Sequence, residues 1–173
     1  YTMQVGDVKC WDILQPNLYD VTYELLDGNA VIDTVQSYFG FRTVELREHS
    51  LWLNGRPIFQ RLVLDQGYYP DGVYTAPTDA DLKRDIELSI ALGFNGARLH
   101  QKVFEERFLY WADRLGYLVW GEQARLGARY HNERSSSTFC RNGWRLLRAI
   151  GTTPPSSAGA LSTKRGIKPP PRG

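Results

Sequence analysis

Four polar residues stand at the ends of short apolar runs in this chain. Asp65 closes the apolar-rich run Ile58 to Leu64, Arg98 and His100 bracket Leu99, and Glu122 follows Tyr117-Leu118-Val119-Trp120. An arginine offers a fixed fork of donors to carboxylates and hydroxyls. A carboxylate beside aromatic faces, as in Asp65-Gln66-Gly67-Tyr68-Tyr69, suits a sugar. Three of them also have a plainer reading: Asp65 can cap its own loop, Arg98 can close a salt bridge across the floor of a barrel, and His100 can be structural. Trp111 and Trp120 read as core rather than as stacking platforms.

The elements that must position these residues change period along the chain. Leu18 to Leu26 and Ala30 to Val35 alternate like half-buried strands, and Asp27-Gly28-Asn29 between them tolerates the positive φ of a tight turn. A second hairpin is expected from Leu51 to Phe59, around Asn54-Gly55. Thr78 then caps a helix, with Asp81 three residues on approximating a capping box and Asp79 at the positive end of the dipole. Leu82, Ile86 and Ile90 share one face of that helix, and Gly93 stops it. Phe94 to Leu99 is the next strand. A second helix carries Phe104, Phe108, Ala112 and Leu115 on one face and ends at Gly116, before the strand Tyr117 to Trp120. Strand, helix, strand, helix, strand at this spacing implies parallel pairing through crossovers, and in barrels built this way active sites lie at the C-terminal strand ends.

Length bounds the architecture. A (β/α)8 barrel typically needs about 250 residues and an immunoglobulin-like sandwich about 100, so 173 residues hold one whole domain or parts of two. The composition, 42% hydrophobic and 13% aromatic, suits a globular core and excludes fibrous and membrane-spanning classes. Tyr1 to Gly6 reads as a strand entered mid-way rather than a targeting signal. Two cysteines, Cys10 and Cys140, give no framework of bridges, and no Cys/His cluster has zinc spacing, so no metal or cofactor is expected and a reducing cytoplasm is the default. The charge is divided: residues 1–122 carry 18 acids and 11 bases, whereas residues 123–173 carry one acid, Glu133, and 10 bases. A basic tail on an acidic body is a feature of nucleic-acid and membrane-surface binding.

An ordered set of motifs carries a resemblance. Trp11, Pro16-Asn17-Leu18-Tyr19, Gly40-Phe41-Arg42, Asn54-Gly55, Gly93-Phe94-Asn95 with Arg98, Asp113-Arg114-Leu115-Gly116 and Glu122 follow one another over roughly Asp7 to Ala124. In this order they resemble glycoside hydrolase family 2, the β-galactosidase, β-glucuronidase and β-mannosidase group. The resemblance implies an α+β multidomain fragment. Residues 1–44 would end an immunoglobulin-like β-sandwich, and 45–124 would be the first three βα steps of a (β/α)8 TIM barrel. It implies a retaining exo-β-glycosidase acting on carbohydrate, with Asp65, Arg98, His100 and Glu122 as substrate-binding residues, Arg98 supporting the nucleophile and Glu122 in a supporting rather than an acid/base role. The family histidine lies one residue further from the arginine, where Gln101 stands, and Leu62 replaces the glycine that usually follows the arginine of strand one. Neither catalytic glutamate is expected in this chain, because the single Asn-Glu pair, Asn132-Glu133, follows no strand.

The tail, 125–173, has another reading. Each residue fixes most of the first two bases of its codon, so the third base of one codon and the first two of the next allow only a few amino acids. With the free bases chosen to suit the family, Gly151 to Lys164 admits N-H-P-A-I-I-G-W-C-P-F-N-E, Arg141 to Trp144 admits E-W-M, and Ser135 to Cys140 admits F-I-D-F-L before a proline. That is a helix, a fourth strand and the Asn-Glu pair of the family's acid/base. A single-base insertion or deletion near Arg134 is therefore expected, and the basic tail then needs no nucleic-acid or membrane partner.

Overall fold

The computed structural model describes residues 5–122, and the expectations for the tail, Asn132-Glu133 included, lie outside them. Strands β1 (Tyr19–Asp27) and β2 (Ala30–Phe39) form an antiparallel hairpin in register from Tyr19 opposite Phe39 to Asp27 opposite Ala30, with an irregularity at Leu25/Leu26. Gly28, at φ 59°, supplies the left-handed turn. The expected half-burial does not extend to the tip: Tyr23, Leu25 and Val35, which share one face, are each more than half exposed. A two-stranded sheet has no second layer of its own to cover that face.

Only the base of the hairpin is packed. Tyr38 is buried, and its hydroxyl donates to Asp113 Oδ2 at 3.0 Å. Burial and the neighbouring Asp113 carboxylate both push that phenol's pKa up. Tyr19 stacks on Phe39, and Phe41 meets both edge-on. Beneath them Trp11 is fully buried, with Nε1 donating to the carbonyl of Asp113 at 2.7 Å and the Arg42 guanidinium 4.9 Å over its ring.

Strands β3 (Val44–Arg47), β4 (Ser50–Leu53) and β5 (Arg56–Ile58) form an antiparallel meander. The expected Asn54-Gly55 turn is present, both residues at positive φ (49° and 75°), the type I′ geometry that matches strand twist. The Asn54 side chain also accepts from Thr43 N–H and donates to the Trp11 carbonyl, which ties this turn to the base of the hairpin.

The remaining strands are parallel. Strand β6 (Leu62–Asp65), helix α1 (Asp79–Ala91), strand β7 (Gly96–Leu99), helix α2 (Glu106–Leu115) and strand β8 (Leu118–Gly121) follow in sequence, and the sheet order is β6-β7-β8. Thr78 caps α1 as expected, its hydroxyl oxygen accepting from Asp81 N–H. Helix α2 ends on Gly116 at φ 73°. Leu82 and Ile86 from α1, Phe108 and Ala112 from α2, and Ala97, Leu99, Phe104 and Tyr117 make one buried cluster between helices and sheet. Ile90, expected on the same face, is 39% exposed and lies outside this cluster. At the N-terminal end of the sheet buried Asn95 joins the strands: its side chain accepts from Arg61 N–H and donates to the Phe59 carbonyl, and its own carbonyl accepts from Leu118 N–H. Gly96 lets the strands approach closely, since a Cβ there would lie 2.4 Å from Leu118 O and 2.7 Å from Leu62 Cδ2.

The opposite face of the parallel sheet carries the row Leu64, Arg98, Trp120 in register, and all three are exposed. Parallel sheets in known folds are covered on both faces, so this face is one that a larger architecture would enclose.

Replacing Trp11 with alanine should cost about 3–5 kcal/mol, read as a lower urea midpoint by circular dichroism. Alanine at Leu14, which is 86% exposed, should change stability by less than about 0.5 kcal/mol.

Candidate functional site

The C-terminal ends of β6, β7 and β8 bring all four candidate residues to one end of the sheet, in two adjoining groups. Parallel register decides this: Asp65 pairs with Leu99 and Leu99 with Gly121, so Asp65, the Arg98 to Gln101 segment and Glu122 emerge side by side.

The first group is ionic. Arg98 Nε donates to Glu122 Oε1 and closes an ion pair, while Gln101 N–H donates to Glu122 Oε2 at 3.2 Å. Arg98 and then the Gln101 amide hold the Glu122 carboxyl below the usual glutamate range. Arg98 therefore does make a salt bridge, but with Glu122 at the C-terminal strand ends rather than across a barrel floor. Gln101 takes part through its backbone, at a left-handed φ of 53°.

The second group surrounds His100. Its N–H donates to the Asp65 carbonyl at 2.7 Å, and its Nδ1 lies 2.8 Å from Gln66 Nε2. With the Gln66 amide as donor, a neutral His100 ring carries its proton on Nε2. Asp65 Oδ1 accepts from Gly67 N–H at 2.7 Å, so the loop-capping role of Asp65 is present too. Burial raises the Asp65 pKa, the Gly67 hydrogen bond opposes that rise, and the charge of Asp85 adds to it.

Sequence reasoning missed Gln66, Gly67 and Lys102. Lys102 is 8% exposed, with Nζ donating to the carbonyls of Gly67 (3.1 Å) and Tyr74 (2.8 Å). A lysine in a polar run has no periodic signal for burial, and its fit against Gly67, where a Cβ would lie 2.7 Å from Nζ, is visible only in the structure. Trp120 is not core, contrary to expectation. It is 50% exposed on the uncovered face, its Nε1 donating to Gln60 Oε1. Trp111 packs beside the core cluster and donates to Asp79 Oδ1 at 3.0 Å. Among the described residues no three His, Cys, Asp or Glu side chains are grouped to hold a metal, and no helix is long and apolar enough to cross a membrane.

Comparison with known proteins places this arrangement. Residues 1–42 match the family model of the Glycosyl hydrolases family 2. A beta-galactosidase of Vibrio vulnificus is 33% identical over 122 residues, 70% of this chain and 12% of that protein. A beta-glucuronidase of Streptococcus agalactiae is 27% identical over 125 residues, 71% of this chain and 20% of that protein. Among solved structures, a GH2 beta-galacturonidase from Eisenbergiella tayi, bound to galacturonate, superposes with a TM-score of 0.72 at 25% identity, covering 85% of this chain and 27% of the other. The fold, mostly strands with two helices, is thus one found in glycoside hydrolases. The chain belongs to glycosyl hydrolase family 2, and it spans a fifth or less of the length of these two sequence relatives.

The two carboxyl groups titrate in opposite senses. A depressed Glu122 stabilises the fold above the ordinary glutamate value of about 4.3, and that contribution is lost as pH falls through the lowered one. A raised Asp65 contributes below the ordinary aspartate value of about 3.9 and loses it as pH rises through the raised one. Carboxyl-carbon NMR should find Glu122 below and Asp65 above their ordinary values, and Arg98→Met should move Glu122 upward while Asp65 stays in place.

Proposed function

We propose that this chain is a piece of a retaining exo-β-glycosidase, hydrolysing O-glycosidic bonds in carbohydrate metabolism, and that the chain as written is inactive. The observation that carries the reading is the gathering of Asp65, Arg98, His100 and Glu122 at the C-terminal ends of three adjacent parallel strands. The open face bearing Leu64, Arg98 and Trp120 supports it further, being the face that a closed barrel would turn inward. In this reading residues 1–44 end an immunoglobulin-like sandwich and 45–124 begin a (β/α)8 barrel. The relatives' names, beta-galactosidase and beta-glucuronidase, point to a carbohydrate ligand in the parent enzyme. Asp65, Arg98, His100 and Glu122 would then line the sugar pocket.

A retaining glycosidase needs two carboxyl groups about 5–5.5 Å apart, one acid/base and one nucleophile. Glu122 is a poor acid/base, because Arg98 holds it ionised. Both catalytic glutamates belong to later strands, and the shifted reading frame accounts for the first of them. Extending that reading through Trp144 to Gly151 admits E-A-V-A-R-D-R, which joins the two segments into E-W-M-E-A-V-A-R-D-R-N-H-P-A-I-I-G-W-C-P-F-N-E without a break from Arg141 to Lys164. A helical run, a proline break and an apolar strand ending in Asn-Glu continue the alternation set up by β6 to β8.

Two measurements test this. The purified chain should release no chromophore from aryl β-galactoside, β-glucuronide or β-mannoside, and turnover of any of them would refute the inactive reading. Re-sequencing the DNA should find the continuous second frame from the codon of Arg141 to that of Lys164; a coding strand without it would refute the frameshift.

A further inference from the structure

Lys102 is a buried cation with no ion pair among the described residues. Its ammonium is held instead by the carbonyls of Gly67 and Tyr74 and by the faces of Tyr74 and Phe104, 4.4 and 4.8 Å from the ring centroids. Burying an ammonium is costly, and these contacts offset that cost. The two carbonyls flank the turn from Tyr68 to Val73 in the loop leaving β6. Between them Tyr69 and Val73 exchange two backbone hydrogen bonds of 2.9 Å, and Val73, a β-branched residue, is held at a φ of 52°. Tyr68 and Tyr74 pack together across the loop at 5.2 Å. Lys102 is thus a staple across the base of a closed, strained loop.

Gly67 carries the effect inward. Its N–H holds Asp65 Oδ1 at 2.7 Å, its C=O is held by Lys102, and Gln66 immediately before it meets His100 Nδ1. A Cβ on Gly67 would lie 2.7 Å from Lys102 Nζ and 3.0 Å from Phe104 Cζ, so the ammonium fits against a bare backbone.

We infer that Lys102 is a positioning residue of the strand-end site: through Gly67 it fixes the Asp65 carboxylate and the Gln66–His100 pair. The inference rests on the proposed role of that site, but its test uses no sugar, so its failure and the failure of the glycosidase reading are distinguishable. The full chain and its Lys102→Met variant are compared by histidine-ring nitrogen NMR and by amide hydrogen exchange. In the variant the His100 ring should lose its single Nε2–H signature for a mixture of tautomers. The Gly67 amide should exchange about tenfold faster, and the Trp11 indole N–H resonance, bonded to Asp113, should stay in place. A folded Lys102→Met chain with an unchanged His100 ring overturns the inference. Should that variant fail to fold, Lys102→Gln decides, because its shorter neutral side chain cannot reach both carbonyls: a shifted His100 ring supports the inference and an unshifted one overturns it.

Discussion

Trp11 holds together segments that are far apart in the chain. Its backbone N–H donates to the Phe41 carbonyl, its own carbonyl accepts from the Asn54 side chain, and its indole N–H donates to the Asp113 carbonyl near the end of α2. One residue with a fully buried side chain therefore joins the hairpin base, the meander turn and the second helix, with all of its polar atoms paired. Arg42 lies over the ring, and burial pulls its pKa below the usual arginine value. The Tyr38 to Asp113 hydrogen bond and the Arg114 to Asp20 ion pair run beside it and join the same two parts. The ion pair has an exposed aspartate and adds little. The buried indole is the contact on which the junction depends.

The parallel sheet hangs from that junction. Helix α2 packs on α1, the apolar sides of both helices pack on Ala97 and Leu99, and the strands are thereby held in a register that places Asp65, Leu99 and Gly121 abreast. Register alone lines the polar residues up at one end. Short hydrogen bonds then divide them: Glu122 is occupied by Arg98 and the Gln101 amide, whereas His100 and Gln66 face each other beside Asp65. The division gives one carboxylate that stays ionised and one whose protonation burial favours, an electrostatic asymmetry between neighbouring strand ends.

Among the described residues, the tip of the β1–β2 hairpin and the row of Leu64 and Trp120 on the sheet are apolar and exposed. Their exposure fits the small share of its relatives that the chain spans. The alternation of the hairpin predicts half-burial and the run before Glu122 predicts a core Trp120, and the packing provides neither. A pattern of apolar residues shows which face seeks cover, but not whether a second layer is there to provide it.

Much of the local structure was legible because it is decided within a few residues. Thr78 and Asp81 cap α1 by a side chain reaching three residues along, Asn54-Gly55 turns because both residues tolerate positive φ, and Gly93 and Gly116 end helices for the same reason. The four strand-end residues were legible too, since an apolar run that stops at a polar residue marks where a strand emerges. What only the tertiary structure decided depends on groups brought together from afar. Glu122 pairs with Arg98 across 24 positions, Lys102 reaches back 35 positions to Gly67, and Trp11 meets Asp113 across 102. The sequence by itself determined where the chain turns, caps and alternates, because those choices are local stereochemistry. Which charge neutralises which, and which lysine is buried, had to await the packing of the parallel strands, because electrostatic partners are set by distance in space and not along the chain.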